Sequence, residues 1–283
     1  MAEYLVTAEW LQAALADNNN RPVKLVEATF FLPTMNRDAL AEFQEAHLPG
    51  AVFFDIDAVS QADNPLPHML PTSEQFAAEI SKMGIEDTDH IVIYDRSPLF
   101  SAARAWWMFR YFGHTEVSIL DGGYKSWLAA GGQTQTGAQS VTASRFTART
   151  QSEFTAVTMD EIASWIDAGT CPQILDARAS DRFMGIAKEP RPGLRSGHIP
   201  GAINVPISSL LDPQTGMVKS ADRLKQIFDE AGVNYDAPAI TSCGSGVTAC
   251  GLILGLAMTG KTDISLYDGS WSEWGASDKP IAP

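Results

Sequence analysis

The sequence has little that could bind a metal, cross a membrane or grip a polyanion. Its 283 residues include three cysteines and five histidines. No Cys-x-x-Cys pair is present, so a structural zinc site is not expected. Cys171, Cys243 and Cys250 have no secretory context, and free thiols in a reducing cytoplasm are the expectation. The run ACGLILGLAMTG over 249–260 is too short for a membrane span and predicts a buried helix. The opening MAEYLVTAEWLQAALADNNN lacks both a basic start and a continuous apolar stretch, so no secretory leader is expected. Basic residues are scarce. Lys and Arg total 20 against 34 Asp and Glu, a net charge of −14. Such a surface repels phosphate backbones and argues against nucleic acid or an anionic membrane as partner. An anionic substrate would need cationic groups gathered at its site. Long polar low-complexity tracts are missing too. With 45 % hydrophobic and 19 % charged residues, the composition is that of a globular chain with material for two cores.

What the chain does contain recurs. HLPGAVF at 47–53 returns as HIPGAIN at 198–204, ILDGGYKSW at 119–127 as LYDGSWSEW at 266–274, and LVEAT at 25–29 as ILDAR at 174–178. Three motifs in one order at nearly one spacing indicate duplication of a domain of roughly 130 residues. Within each copy, apolar β-branched runs such as HIVIYD (90–95) and APAITSC (237–243) suit buried strands. Between them lie helical patterns. PTSEQFAAEISKMG (71–84) has a Ser73 N-cap candidate, Phe76, Ile80 and Met83 on one face, and closes at Gly84. KSADRLKQIFDEAG (219–232) repeats the design with Leu224, Ile227 and Phe228. The expected fold is α/β: two tandem domains, 1–137 and 156–283, each a mostly parallel sheet flanked by helices. The stretch 132–155 is polar and rich in Thr, Ser and Gln; a linker is expected over 138–155.

The segment Ile240-Thr-Ser-Cys243-Gly-Ser-Gly-Val-Thr-Ala-Cys250 carries the chemistry. A strand runs into a glycine-rich turn and then an apolar helix, and Cys243 stands where the strand ends, where sites gather in open α/β sheets. Inward-facing amides of such a turn form an anion-binding nest, and the helix start adds positive potential. Both favour a thiolate, or a persulfide, on Cys243. Cys171, in a turn, and Cys250, in the helix, read as structural. A cysteine phosphatase would need Cys-x5-Arg, and Ala249 stands at that arginine position. A papain-like protease would need a histidine base, and none is near in sequence.

The duplicated HxPGA motif, the LDAR segment, the DG-x-x-x-W ending and the CGSGVT loop together resemble the tandem rhodanese sulfurtransferases, over nearly the whole chain. The loop is most similar to that of the branch using 3-mercaptopyruvate. Thiosulfate-using relatives carry basic residues directly after the cysteine, where this chain has Gly244 and Ser245. The resemblance implies a Cys243 persulfide cradled by Gly244, Ser245, Gly246, Val247 and Thr248. It implies Arg182 and Arg191 as binders of the donor's carboxylate and keto oxygens, and Arg104 as a further substrate-binding residue. Asp57, His68 and Ser245 are implied as a proton relay. Aligning IVIYD with AITSC sets Asp95 where Cys243 stands, so the first domain is expected to be catalytically silent. His47 and His198, kept in both copies, are expected to be structural, and Arg178 and Arg195 structural or peripheral. No metal or organic cofactor is implied. The sulfur acceptor would be a thiol such as thioredoxin, or cyanide, and the protein a monomer. Thiosulfate as donor, or a non-catalytic partner-binding module, are the alternatives.

Overall fold

Short β-branched runs alternating with amphipathic helices produce two five-stranded sheets, with every named strand pair parallel. The computed structural model describes residues 3–17, 22–149 and 153–283. In chain order, the first sheet and its helices are β1 (Leu5–Val6), α1 (Ala8–Ala16), β2 (Val23–Glu27), α2 (Ala39–Glu45), β3 (Val52–Phe53), α3 (Ile56–Val59), α4 (Ser73–Lys82), β4 (His90–Tyr94), α5 (Ala102–Tyr111), β5 (Val117–Leu120) and α6 (Gly123–Ala129). The second set is β6 (Thr155–Val157), α7 (Met159–Ala168), β7 (Gln173–Asp176), α8 (Ser180–Phe183), β8 (Ile203–Asn204), α9 (Ala221–Glu230), β9 (Ala239–Ser242), α10 (Ala249–Met258), β10 (Ile264–Tyr267) and α11 (Ser270–Trp274). The strand orders β1-β5-β4-β2-β3 and β6-β10-β9-β7-β8 are the same pattern.

Capping explains several helix starts. Thr72, not Ser73, caps α4: its hydroxyl accepts the Gln75 N–H while the Gln75 side chain accepts the Thr72 N–H. This reciprocal box outcompetes a lone serine one residue on. The box recurs at α7 with Thr158 and Glu161. Ser220 caps α9. Phe76 and Ile80 of α4, and Leu224 and Phe228 of α9, are buried. The apolar run at 249–260 forms α10, whose residues Ala249 to Leu256 are all buried.

By contact, the chain divides into two units. The first comprises Met1–Ala62, Pro71–Glu153 and Asp212–Val218; the second comprises Asp63–Leu70, Phe154–Leu211 and Lys219–Pro283. Each therefore includes one short segment from the other half of the sequence. In both, the aspartate of the DG motif fastens that segment: Asp268 Oδ2 accepts the Leu70 N–H at 2.6 Å in the second unit, and Asp121 Oδ1 accepts the Val218 N–H at 2.8 Å in the first. Two residues before each fastened amide the backbone is left-handed, at His68 (φ 61°) and Gly216 (φ 76°). Of the polar stretch at 132–155, residues 150–152 lie outside the described residues. The part before them runs along the first unit: Gln135 pairs with His47, Ser144 N–H donates to Ser81 O, and Phe146 is buried.

The HxPGA histidines behave alike in both units. His47 bonds Phe43 O and stacks on the Phe43 ring; His198 bonds Phe183 O and stacks on Phe183. Register also equates the strand tips. Glu27 pairs with Tyr94 and Asp176 with Ser242, so Asp95 and Cys243 are the next residues at equivalent points.

Asp95 is buried, and burial pushes its carboxyl up to about 7, against the Ala102 N–H and Ser101 hydroxyl that donate to it. Between the ordinary carboxylate range and about pH 7, the folded chain keeps a proton that the unfolded chain has released. Stability contributed at this site therefore falls as pH rises through that window and levels off above it. Asp95→Asn keeps an acceptor for both donors without the charge. Relative to wild type, its unfolding free energy in urea is expected to gain between pH 4 and pH 8, by on the order of 2–4 kcal/mol. A difference that is the same at both pH values contradicts this.

Candidate active site

β9 delivers Cys243 at its carboxyl end because the parallel register stops there, and α10 begins six residues later. Ser270 Oγ accepts two loop amides, from Cys243 and Gly246, each at 3.1 Å, and donates to Tyr267 O at 2.8 Å. Gly244 O accepts the Ser272 N–H and hydroxyl, and Cys243 O accepts the Trp271 N–H. The Cys250 thiol donates to Gly246 O at 3.2 Å. These bonds turn the loop's carbonyls toward α11 and α10. Gly246, expected in the sulfur cradle, thus has its N–H directed to a side chain. Gly246 itself is left-handed at φ 75°.

Cys243 is 1 % exposed. Its neighbourhood is nonetheless charged: a side chain begun at Gly244 would stand 3.3 Å from Arg182 Nη2 and 3.9 Å from Arg191 Nη1. The two arginines singled out in the sequence therefore converge on the residue after the cysteine. Ser245, also buried, lies 2.9 Å by its hydroxyl from His68 Nδ1. His68 reaches it from the segment Asp63–Leu70, which belongs to this unit. The left-handed backbone at His68 costs about 1 kcal/mol or more for a non-glycine residue, and such strain persists where the surroundings over-determine it. Asp57 and Arg104 sit in the first unit. Asp57 is exposed in the first turn of α3; Arg104 is buried on α5 with its guanidinium over the Trp107 ring.

Two side chains here were not singled out from the sequence. One is Ser270. The other is Glu189, whose side chain is 2 % exposed and bridges Arg178 Nη1 (3.0 Å) and Arg182 Nη2 (2.5 Å). Glu189 also accepts from Arg182 Nε, so it occupies one edge of that guanidinium and leaves the Nη1/Nη2 edge for another anion. Arg178 is fully buried, paired with Asp176, and packed 4.2 Å from the Trp271 ring centroid. Arg195 is spent on the carbonyls of Trp274, Gly275 and Lys279. Cys171, half-buried, packs beside the second unit's core, and burial raises its thiol pKa. Among the described residues, no cluster of three or more His, Cys, Asp or Glu could hold a metal ion, and no helix is long and apolar enough to cross a membrane.

Comparison with known proteins adds to this geometry. The Rhodanese-like domain family matches residues 7–130 and again 158–277. A curated relative from Mus musculus, named 3-mercaptopyruvate sulfurtransferase, is 44 % identical across 95 % of this chain and 91 % of its own. One of the same name from Escherichia coli is 42 % identical across 99 % and 98 %. The crystal structure of SseA from Escherichia coli, a 3-mercaptopyruvate sulfotransferase, superposes with a TM-score of 0.84 at 40 % identity, covering 96 % of this chain and all of that one.

Removing Glu189 leaves the half-buried Arg182 guanidinium without a carboxylate and the fully buried Arg178 with a single carboxylate partner. Glu189→Ala is expected to cost about 3 kcal/mol or more, since breaking a buried ion pair strands its partner. Urea unfolding measures it; a loss under about 1 kcal/mol shows that water replaces the carboxylate freely.

Proposed function

Since the chain belongs to the rhodanese family, with two such domains in tandem, we propose that it is a 3-mercaptopyruvate sulfurtransferase whose catalytic unit is the second. The observation that carries this is the pair of guanidiniums, Arg182 and Arg191, next to Gly244. A planar α-keto acid offers a carboxylate and a keto oxygen to such forks. Bound there, its thiol sulfur meets Cys243. The Cys243 thiolate attacks that sulfur and forms an S–S bond. The carbon–sulfur electron pair moves onto carbon as the enolate of pyruvate. The enolate takes a proton from Ser245, resupplied by His68, which completes pyruvate, and Cys243 is left as a persulfide. In the second half-reaction an acceptor thiolate, on a small thiol or a reduced thioredoxin, attacks the outer sulfur and restores the Cys243 thiolate; cyanide in that role leaves as thiocyanate. Gly244, Ser245, Gly246, Val247 and Thr248 form the turn around the sulfur anion, with the Gly246 amide directed to Ser270. The cycle is ping-pong and employs no metal or organic cofactor. It needs reduced thiols, as in a cytoplasm, and the protein is proposed to act as a monomer.

The choice of donor follows from the same spot. Compact dianionic thiosulfate gains from cations adjoining the reacting sulfur. Here residue 244 carries no side chain, and the space where one would begin is already bordered by Arg182.

Incubation with 3-mercaptopyruvate is expected to add one sulfur, about 32 Da, to the intact protein, removed again by dithiol. Cys243→Ser should gain nothing and turn over nothing, and Cys250→Ser should behave as wild type. An unmodified wild-type mass after donor treatment would leave only a binding module.

Steady-state kinetics decide the donor. kcat/KM for 3-mercaptopyruvate is expected to exceed that for thiosulfate by at least about 10-fold, and Arg191→Ala to lower it by about 100-fold, the ~3 kcal/mol of a charge-assisted contact. Preference for thiosulfate, or an Arg191→Ala variant with unchanged kinetics, overturns the donor assignment.

A further inference from the structure

The two DG motifs differ in a telling way at their third residue. In the first unit the third residue is Gly123, left-handed at φ 56°; in the second it is Ser270, left-handed at φ 51°. The adjoining backbone is the same in both, since Tyr124 N–H donates to Asp95 O and Trp271 N–H to Cys243 O. A Cβ on Gly123 would stand 2.3 Å from Asp95 O, so the first unit excludes a side chain there. The second unit admits one in a conformation that disfavours any non-glycine residue. Its hydroxyl does one thing that glycine cannot: it gathers the amides of Cys243 and Gly246 onto a single oxygen.

We propose that Ser270 is a positioning residue for sulfur transfer, holding the Cys243 loop in its reactive shape by accepting both amides while its own proton is committed to Tyr267 O. The inference rests on Cys243 being the nucleophile. Ser270 Oγ is fully buried and its donor direction is taken, so it is oriented as an acceptor and cannot swing to another partner. It pins the loop at its first and fourth residues, leaving the two between them, Gly244 and Ser245, facing Arg182 and His68. In the first unit the strand-tip side chain gathers its own loop: Asp95 Oδ2 accepts from Ser101 and Ala102. A cysteine cannot do that without giving up its sulfur, and the task falls to a residue outside the loop.

Two variants separate positioning from simple structural support. Ser270→Gly copies the first unit and relieves the left-handed strain; Ser270→Ala keeps the strain and loses only the hydroxyl. Both are expected to lower kcat for 3-mercaptopyruvate at least 10-fold with donor KM within about 3-fold, because Arg182 and Arg191 are untouched. The melting temperature of Ser270→Gly is expected within a few degrees of wild type. If Ser270→Gly retains wild-type kcat, or if kcat falls only in proportion to lost folded protein, the proposal is overturned. Cys243→Ser, assayed alongside, keeps the two ideas apart: turnover surviving there removes the nucleophile assignment, whereas a dead Cys243→Ser beside fully active Ser270 variants removes this one alone.

Discussion

The Arg178 guanidinium is wholly buried, and four parts of the second unit are fastened to it. Its Nε and Nη2 hold Asp176 at the tip of β7, Nη2 also reaches Gly197 O in the HxPGA turn, Nη1 holds Glu189, and its face lies on Trp271 of α11. Glu189 in turn fixes Arg182, and Trp271 adjoins Ser270, which gathers the cysteine loop. A charge in this position is tolerable only if every donor is met, because stranding it would cost several kcal/mol. The site's geometry is therefore set by an electrostatic obligation of the interior.

The first unit meets the same obligation with a different residue. Glu27 is the counterpart of Asp176, and Tyr124 of Trp271. There the guanidinium belongs to Arg96, which bonds Glu27 through Nε and Nη2, reaches Ala46 O in the equivalent turn, and lies 3.9 Å from the Tyr124 centroid. Arg96 follows Asp95, as Gly244 follows Cys243. The arginine thus comes from the strand-tip loop in one unit and from the end of the neighbouring strand in the other. Supplying it from just past β7 leaves position 244 without a side chain and open to Arg182 and Arg191.

Much of this was legible in the sequence. Repeated motifs gave the duplication, β-branched runs the strands, and the glycine-rich turn the cysteine loop, because each is a local pattern with a local cause. The α4 cap lies one residue before the expected Ser73, because Thr72 and Ser73 are chemically similar and only the Gln75 side chain distinguishes them. Glu189 was hidden because its meaning depends on two arginines brought to it by tertiary packing. Ser270 was hidden within the DG-x-x-x-W ending, which the sequence marks only as a repeat. Its signal was available as a mismatch in the repeat, serine against Gly123, but the left-handed backbone that makes the mismatch informative cannot be seen in the letters. His68 differs from Gly216 in the same way.

The alternative sourcing of one buried cation bears on redesign of the cysteine loop. A basic residue grafted at position 244 would have two possible destinations. It could enter the interior slot beside Asp176, already filled by Arg178, or it could crowd Arg182 at the surface of the loop. Altering the loop's charge is consequently a coupled substitution: vacating residue 178, for instance with the threonine that the first unit carries at position 29, has to accompany any arginine installed beside the sulfur.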